Sequence, residues 1–208
     1  MAAEGLLLLG GEGPELRHLE PVLRRAPLVI AADSGFDLAV RLGVQPDLLV
    51  GDLDSVTPGP ALAAYPRERI RQFPRDKDET DAELGLRIAA EAGCRRVVLA
   101  GGGGGRLAHL LAIVGLFRRE AAPAAWYTAR ERVERVEGEA VLAGCLGQTV
   151  SFFALGGAAA GLSSHGLQWP LDGLEWPGGG GGVSNLVSAD PARVRVAKGS
   201  LLMILELR

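Results

Sequence analysis

The chain has 208 residues, of which 48% are hydrophobic and 23% are charged, so it can bury a core without disulfides or a structural metal. Its formal net charge of −3 lacks the basic excess that is typical of nucleic-acid-binding proteins, and we expect no nucleic-acid partner. Two distant cysteines, Cys94 and Cys145, indicate reduced thiols in a cytoplasmic protein rather than a disulfide framework.

The apolar stretches are short. The N-terminus has no basic region, and its run of four leucines is too short for a signal peptide. The apolar stretch at residues 150–162 is broken by glycine and is too short to cross a bilayer, which takes roughly 20 residues. We therefore expect a cytoplasmic protein that has no contact with membranes.

The first 128 residues alternate short apolar runs with helical patterns. Strands are predicted over residues 6–9, 28–32, 47–50, 96–100 and 124–128. Helices are predicted over residues 14–26, 36–42, 79–92 and 107–119. This alternation is typical of a mostly parallel, doubly wound sheet with helices on both faces, so we predict an α/β domain over residues 1–128.

The pattern changes after residue 128. Strand-like pieces separated by Gly, Pro and Asn are predicted over residues 132–136, 140–142, 149–155, 186–188, 193–197 and 201–207. They predict a small antiparallel β-sandwich domain, or a small barrel, over residues 129–208. Because so small a domain has a limited core and edge strands to protect, we expect a homodimer with contact through it.

Acidic residues follow the predicted strands. Asp33 comes after the second strand, Asp52 and Asp54 after the third, and Asp81 lies in the first turn of the clearest helix. The carboxyl ends of parallel strands meet at one edge of the sheet, so these turns should meet there. Carboxylates that converge in this way suit Mg²⁺. The alternative is an ordinary turn or capping role, with Asp33 as the N-cap of the next helix.

Two further segments favour phosphate binding. Residues 76–81 place several acids around one Lys ahead of a helix N-terminus, which can hold Mg²⁺ and a phosphate chain together, although Asp78 could simply cap the helix. The glycine run 101–105 precedes Arg106, and its backbone N–H groups could cradle phosphates. It is not a Walker A loop, and a flexible loop is the alternative.

The second domain has one distinctive aromatic residue. Trp169 precedes Pro170, which favours extended chain, and it is either a core residue or a stacking face for a cationic or aromatic ring. The Ser184-Asn185 pair stands out nearby. Trp126 and Trp176 are interpreted as packing residues.

Taken in order, these segments resemble thiamine pyrophosphokinases. The resemblance is carried by Ala-Ala-Asp-Ser-Gly at 31–35, residues 42–55, the acidic cluster at 76–81, Gly-Gly-Arg-Leu-Ala-His at 104–109, Gly-Leu-Gln-Trp-Pro-Leu at 166–171 and Val-Ser-Asn at 183–185. Members of that family join an α/β domain to a β-sandwich and act as homodimers. They transfer a pyrophosphoryl group from ATP to the hydroxyethyl oxygen of thiamine, and AMP leaves.

The resemblance implies roles for individual residues. Asp52, Asp54 and Asp81 would hold Mg²⁺ and the triphosphate, and Arg106 would face phosphate as the fourth catalytic residue. Further contacts to ATP are expected from Asp33, Asp76, Lys77, Asp78, Thr80 and Gly105. Thiamine would be bound by Trp169, Ser184 and Asn185, against the α/β domain of the other subunit.

The chain departs from the family pattern at two positions. Ser34 replaces a glycine, and Ala108 replaces an aspartate that follows Gly-Arg-Leu; we expect the neighbouring His109 to point elsewhere on the helix. Two alternatives therefore stay open. One is a related pyrophosphokinase for another alcohol, such as a hydroxymethyl pterin, and the other is a non-catalytic nucleotide- or thiamine-binding descendant. Trp169 in its Gly-Leu-Gln-Trp-Pro-Leu setting favours thiamine.

Overall fold

A computed structural model of the chain describes residues 3–76 and 78–208, so the phosphate-binding prediction for Lys77 lies outside the described residues. The chain forms two compact units. The first contains the residues up to Val114 together with Pro123–Ala129, and the second contains Gly115–Ala122 and Arg130–Arg208.

The first unit is built on a parallel sheet. Its strands are β1 Glu4–Leu8, β2 Leu28–Ala32, β3 Leu48–Gly51, β4 Ile70–Gln72, β5 Arg96–Ala100 and β6 Ala125–Tyr127. Their order is β6-β5-β1-β2-β3-β4, and every pair among them is parallel. The central strands are near-continuous apolar runs, as expected where both faces of a sheet are covered.

Helices cover both faces of this sheet. They are α1 Leu16–Leu23, α2 Gly35–Leu42, α3 Pro60–Ala63, α4 Asp81–Glu91 and α5 Leu107–Leu116, with a 3₁₀ turn at Arg67–Arg69. Side chains of α1 and α2 share a core with Leu6 and Leu8 of β1. Helix α4 approaches the opposite face, where a Cβ on Gly85 would lie 2.4 Å from Leu7 Cδ1. The predicted doubly wound α/β architecture is confirmed.

Several predicted boundaries in this unit are wrong. Helix α4 begins at Asp81 and is capped by Thr80, not by Asp78, because Thr80 and Glu83 form a capping box. Asp33 does not cap α2, whose N-cap is Ser34. Helix α1 begins at Leu16, which lies on the surface rather than in the core.

The second unit is antiparallel throughout. Its strands are β7 Glu131–Leu142, β8 Thr149–Ala154, β9 Ala160–His165, β10 Gly181–Leu186 and β11 Ala192–Glu206. The order is β10-β8-β11-β7, and β9 also pairs with β11. Strand β9 pairs with the first half of β11 and β8 with the second half, across a register shift between Val196 and Leu201. One apolar core lies between these strands, and the β-sandwich prediction is confirmed.

The strand bounds of this unit differ from the predicted ones. Segments 132–136 and 140–142 form one strand, as do segments 193–197 and 201–207, because the glycines between them lie inside the strands. Strand β10 occupies Gly181–Leu186 rather than residues 186–188, and β9 was not predicted. Within the described residues, no helix combines the length and apolar content that crossing a membrane would require.

Candidate active site

Three carboxylates converge at the carboxyl ends of two neighbouring strands. Asp33 follows β2, and Asp52 and Asp54 follow β3. One carboxylate oxygen of each residue lies within 4.8 Å of the other two. The Asp33 backbone N–H also donates to Val50 O at 2.8 Å, which ties the two turns together. The predicted meeting of these acids at one edge of the sheet is therefore observed.

The backbone around the acids adopts unusual conformations. Asp33 has a φ of 50° and Leu53 a φ of 68°, in the left-handed region that non-glycine residues rarely occupy. Gly51 has a φ of 139°, and a Cβ there would lie 3.2 Å from Asp33 Cβ. Glycine thus lets the turn after β3 approach the turn after β2. Strained backbone of this kind is concentrated at functional sites.

Asp33 is the buried member of the cluster, with 7% of its surface exposed. Its Oδ2 accepts a hydrogen bond from Ser55 Oγ at 2.6 Å, while its buried Oδ1 has no hydrogen-bond partner among the described residues. Burial raises the pKa of Asp33, the nearby carboxylates of Asp81, Asp52 and Asp54 add to the rise, and the Ser55 hydrogen bond opposes it. An unpaired buried oxygen among other carboxylates is chemically suited to a hard cation.

Helix α4 brings Asp81 to the same place. Thr80 Oγ1 accepts a hydrogen bond from the Glu83 backbone N–H at 3.3 Å, and the Thr80 backbone N–H donates to Glu83 Oε2 at 2.8 Å. This capping box fixes Asp81 as the first residue of the helix. The positive end of the helix dipole therefore faces the site and favours anionic ligands.

These residues line one pocket of about 550 Å³ in the first unit. Its walls include seven of the predicted site residues: Asp33, Asp52, Asp54, Thr80, Asp81, Gly105 and Arg106. Asp76 and Asp78 are not among the residues that line it. Sequence reasoning missed Ser55 and Arg75 as site residues. The available signal was their position, because Ser55 ends the 42–55 motif and Arg75 directly precedes the acidic cluster at 76–81. Arg75 Nε lies 3.4 Å from Asp54 Oδ2.

Two polar side chains lie beside the pocket, Arg106 directly before helix α5 and His109 within it. The Arg106 guanidinium lies 2.7 Å from His109 Nε2, and both residues line the pocket. His109 points in a different direction from Ala108, as expected, and that direction is toward the pocket, because residues 106 and 109 near a helix start share a face. Ala108 is exposed and is not among the lining residues.

The glycine run 101–105 is ordered by backbone hydrogen bonds. The Glu12 N–H donates to Gly103 O at 2.9 Å, and the Gly103 N–H donates to Glu12 O at 3.0 Å. This pairing joins the loop after β1 to the loop after β5, and both line a second pocket of about 570 Å³. The hydrogen bonds attach this loop to the loop after β1 at Gly103, and the phosphate-binding role of the run stays a prediction.

The predicted thiamine-binding residues lie in the second unit. Trp169 is 55% exposed, so the interpretation of this side chain as a core residue is wrong. Asn185 is buried and is hydrogen-bonded to the Trp169 backbone, and Ser184 is exposed with a φ of 58°. The other two tryptophans pack as predicted: Trp126 is buried and donates from Nε1 to Gly101 O at 2.7 Å, and Trp176 packs against the second core.

Two family models match the chain. The model described as "Thiamin pyrophosphokinase, catalytic domain" matches residues 19–125, and "Thiamin pyrophosphokinase, vitamin B1 binding domain" matches residues 133–201. The chain belongs to the thiamin pyrophosphokinase family. The resemblance seen in the sequence motifs is confirmed, and the chain is an enzyme of this family.

Solved structures of thiamin pyrophosphokinases share the fold. A thiamin pyrophosphokinase family protein from Enterococcus faecalis superposes with a TM-score of 0.81 at 19% identity, covering 99% of this chain and 100% of that one. Thiamine pyrophosphokinase from Bacillus subtilis gives 0.81 at 21% identity, covering 99% of both chains. Yeast thiamin pyrophosphokinase gives 0.73 at 14% identity, covering 100% of this chain and 87% of that one. A comparison with curated proteins finds no significant match.

Proposed function

We propose that this member of the thiamin pyrophosphokinase family transfers a pyrophosphoryl group from ATP to the hydroxyethyl oxygen of thiamine, releasing thiamine diphosphate and AMP. The observation that carries the proposal is the convergence of Asp33, Asp52 and Asp54 beside a helix N-terminus and two glycine loops. Such a site suits a polyphosphate with its metal ion.

The metal in the proposal is Mg²⁺. Its predicted ligands are Asp52, Asp54 and Asp81, and the unpaired Oδ1 of Asp33 adds a fourth candidate. The donors are all carboxylate oxygens, which fits Mg²⁺ better than a softer metal. When bound, the ion would neutralise phosphate charge and polarise phosphoryl oxygens.

The protein groups position the two substrates. Arg106, and Arg75 beside Asp54, would contact phosphate oxygens through charge-assisted hydrogen bonds. Backbone N–H groups at Gly105 and at the start of α4, after Thr80, would add further donors. Contacts to ATP from Asp76, Lys77 and Asp78 stay predictions.

The reaction itself needs no covalent intermediate on the protein. The thiamine alcohol oxygen forms a bond to the β-phosphorus of ATP and gives up its proton to solvent, and the bond from that phosphorus to the α–β bridging oxygen breaks as AMP leaves. Catalysis is then mainly alignment of the two substrates and stabilisation of charge on the transferred group.

Thiamine would be bound with the help of the second unit. Trp169 offers an exposed aromatic face, which suits the cationic thiazolium ring. Ser184 and its neighbour Val183 are both exposed in strand β10. We propose a homodimer in which Trp169 of one subunit faces the acidic site of the other. The two buried, free cysteines agree with a cytoplasmic location, which is also part of the proposal.

The alternative acceptor is another alcohol, such as a hydroxymethyl pterin, and the alternative outside catalysis is a binding protein. The exposed Trp169 favours a cationic ring. Because Ala108 does not line the pocket, the missing aspartate is weak support for loss of catalysis.

The deciding experiment follows AMP release from Mg²⁺-ATP with thiamine, with a hydroxymethyl pterin, and with neither. We expect AMP and thiamine diphosphate in equal amounts with thiamine, and no ADP. An Asp54→Asn variant should lose at least about 100-fold in kcat, the scale on which removing one electrostatic contact to a transition state acts. Binding of both ligands without AMP release would support the non-catalytic alternative, and release only with the pterin would replace thiamine as the acceptor.

A further inference from the structure

Asn185 is a buried polar residue beneath an exposed aromatic one. Only 6% of Asn185 is exposed, and it is the one buried polar side chain in the described part of the second unit. Trp169, which it contacts, is 55% exposed. A buried amide of this kind is expensive unless its donors and acceptors are satisfied, so its partners indicate its role.

The Asn185 amide is hydrogen-bonded to the protein backbone. Its Nδ2 donates to Trp169 O at 2.6 Å, and its Oδ1 accepts from the Trp169 N–H at 3.1 Å. The same oxygen accepts from the Leu186 N–H at 2.8 Å. An amide oxygen has two lone pairs, and both are therefore used within the protein. Asn185 has no free acceptor to offer a substrate.

The Asn185 side chain holds Trp169 at the point where backbone pairing ends. The Gln168 N–H donates to Leu186 O at 2.9 Å, and Leu167 pairs with Val187, so residues 167 and 168 lie against the strand region that contains β10. A register shift between Gly182 and Asn185 interrupts β10, and Ser184 takes up a left-handed conformation there. The backbone pairing ends at Gln168, and beyond it the Asn185 amide makes two hydrogen bonds to the Trp169 backbone.

The chain is also held on the far side of Trp169. Pro170 fixes its own φ and restricts the backbone of Trp169. The next residue, Leu171, is buried, and its N–H donates to Ser164 Oγ at 2.9 Å. The Trp169 backbone is therefore fixed at both ends while its indole faces outward.

We propose that Asn185 is a positioning residue, which orders Trp169 in advance as a platform for the cationic ring of the acceptor and does not itself touch that acceptor. The inference rests on the proposed function for the identity of the ring. Holding the indole before binding reduces the entropy that is lost when the ligand arrives. Asn185 would then have a different role from the direct thiamine contact predicted from the sequence.

The kinetic test is a double-mutant cycle on KM for thiamine. Asn185→Ala should raise this KM by about two- to thirtyfold, the range of a lost cation–π contact, with little change in the KM for ATP. In a Trp169→Ala background the same change should have almost no further effect, because the two residues act as one unit. Effects that multiply in the double variant would show that Asn185 contacts the substrate independently and would overturn the proposal.

A second measurement needs no substrate. The fluorescence of Trp169 is obtained in each background by subtracting the signal of the same protein carrying Trp169→Phe. This fluorescence should show lower anisotropy and stronger acrylamide quenching in Asn185→Ala than in the wild type. Ser200→Ala is the matched control, since it removes a side-chain bond to Leu155 O in the same unit and far along the chain from Trp169. If Asn185→Ala does not fold, Asn185→Asp keeps the two accepted bonds and removes the bond to Trp169 O.

The two readouts separate the inference from the proposed function. An enzyme that uses another acceptor would fail in the thiamine assay and still show a looser Trp169 in the Asn185 variants. Unchanged Trp169 emission in a folded Asn185 variant would overturn the positioning role whatever the substrate.

Discussion

At the scale of single residues, Asp33 is held in an environment that disfavours its charge. It is buried, its Oδ1 has no hydrogen-bond partner among the described residues, and three other carboxylates raise its pKa. In the absence of a cation this arrangement lowers the stability of the fold, because the buried acceptor loses its hydrogen bonds to water and gains none within the protein. A site that is costly when empty and favourable when occupied suits a bound metal.

We predict that Asp33→Asn stabilises the metal-free protein at pH 7. Asparagine still accepts the hydrogen bond from Ser55 and removes the buried charge, so Tm should rise by about 2–4 °C, or roughly 1 kcal/mol. Mg²⁺ should stabilise the wild type by about 2.7 kcal/mol at a hundredfold excess over Kd, and the variant by much less. Thermal unfolding with and without Mg²⁺ measures both effects.

The pH dependence of this difference has a defined sign. A carboxyl whose pKa is raised on folding binds its proton more tightly in the folded protein, so its stabilising effect is present below the unfolded pKa of 3.8. That effect is lost as the pH rises through the folded pKa. The advantage of Asp33→Asn should therefore vanish below about pH 4 and grow as the pH rises through the folded pKa. A variant that is less stable than the wild type at pH 7 without metal would contradict the assignment.

The sequence located the acids because parallel strands end at one edge, and a motif at each strand end is visible without coordinates. It could not show which acid is buried, since burial of Asp33 depends on the positive φ of Asp33 and on the close approach of Gly51. The hydrogen bonds between Asn185 and Trp169 were also hidden, because the two residues are 16 positions apart along the chain. Contacts between residues far apart in sequence leave no local pattern.

At the scale of elements, the start of α4 determines where Asp81 lies. Thr80 and Glu83 close a capping box, and Asp81 is the first helical residue. We predict that Thr80→Ala lowers stability by about 1 kcal/mol, the usual value of an N-cap, because the Glu83 N–H loses its hydrogen-bond acceptor. Fraying of the first turn should also move Asp81, so kcat should fall by more than the stability loss explains. Urea unfolding and AMP release measure the two effects.

Glu83→Gln is the matched control for this helix start. Glutamine at the third helical position preserves the capping box, so both stability and kcat should stay close to the wild type. Equal losses of kcat in the two variants would mean that the carboxylate of Glu83, rather than the cap, matters for the reaction. Unchanged kcat in a folded Thr80→Ala variant would show that the N-cap of α4 has no effect on catalysis.

The elements that the sequence predicted are the long, strongly patterned ones. Strands β2 and β5 have the predicted bounds, since both are continuous apolar runs in the middle of a buried sheet. Helix α3 and strand β4 were missed because they have four and three residues, too few for a period to appear. Strands β7 and β11 were each divided in two because glycine inside a strand resembles a turn in the sequence.

At the scale of the whole molecule, each unit leaves large apolar side chains exposed. Leu107 and Leu111 lie one turn apart on α5 and are 69% and 60% exposed. Trp169 and Val183 are exposed in the second unit. Apolar groups that recur at a surface in this way favour a protein interface, which supports the proposed homodimer.

The last prediction tests whether the acceptor site is shared between subunits. Asp54→Asn removes a proposed metal ligand, and Trp169→Ala removes the proposed aromatic platform, so each homodimer should be impaired at both of its sites. If the two residues act across the dimer, a mixed dimer has one site with both changes and one site with neither. Exchange at equal concentrations should then restore about a quarter of wild-type activity, since half of the dimers are mixed and half of their sites are intact.

The control for this experiment is the same pair of changes in one chain. Mixing the double variant Asp54→Asn/Trp169→Ala with wild type should give mixed dimers in which each site carries one change, and so no more activity than the remaining wild-type dimers supply. Sedimentation should first confirm a dimer at micromolar concentration and exchange of subunits between labelled samples. Activity of the mixed single variants that stays at the sum of the separate homodimers would place Trp169 and Asp54 in the same subunit's site. A monomer that retains full activity would remove the shared site altogether, because no second chain would then be present to complete it.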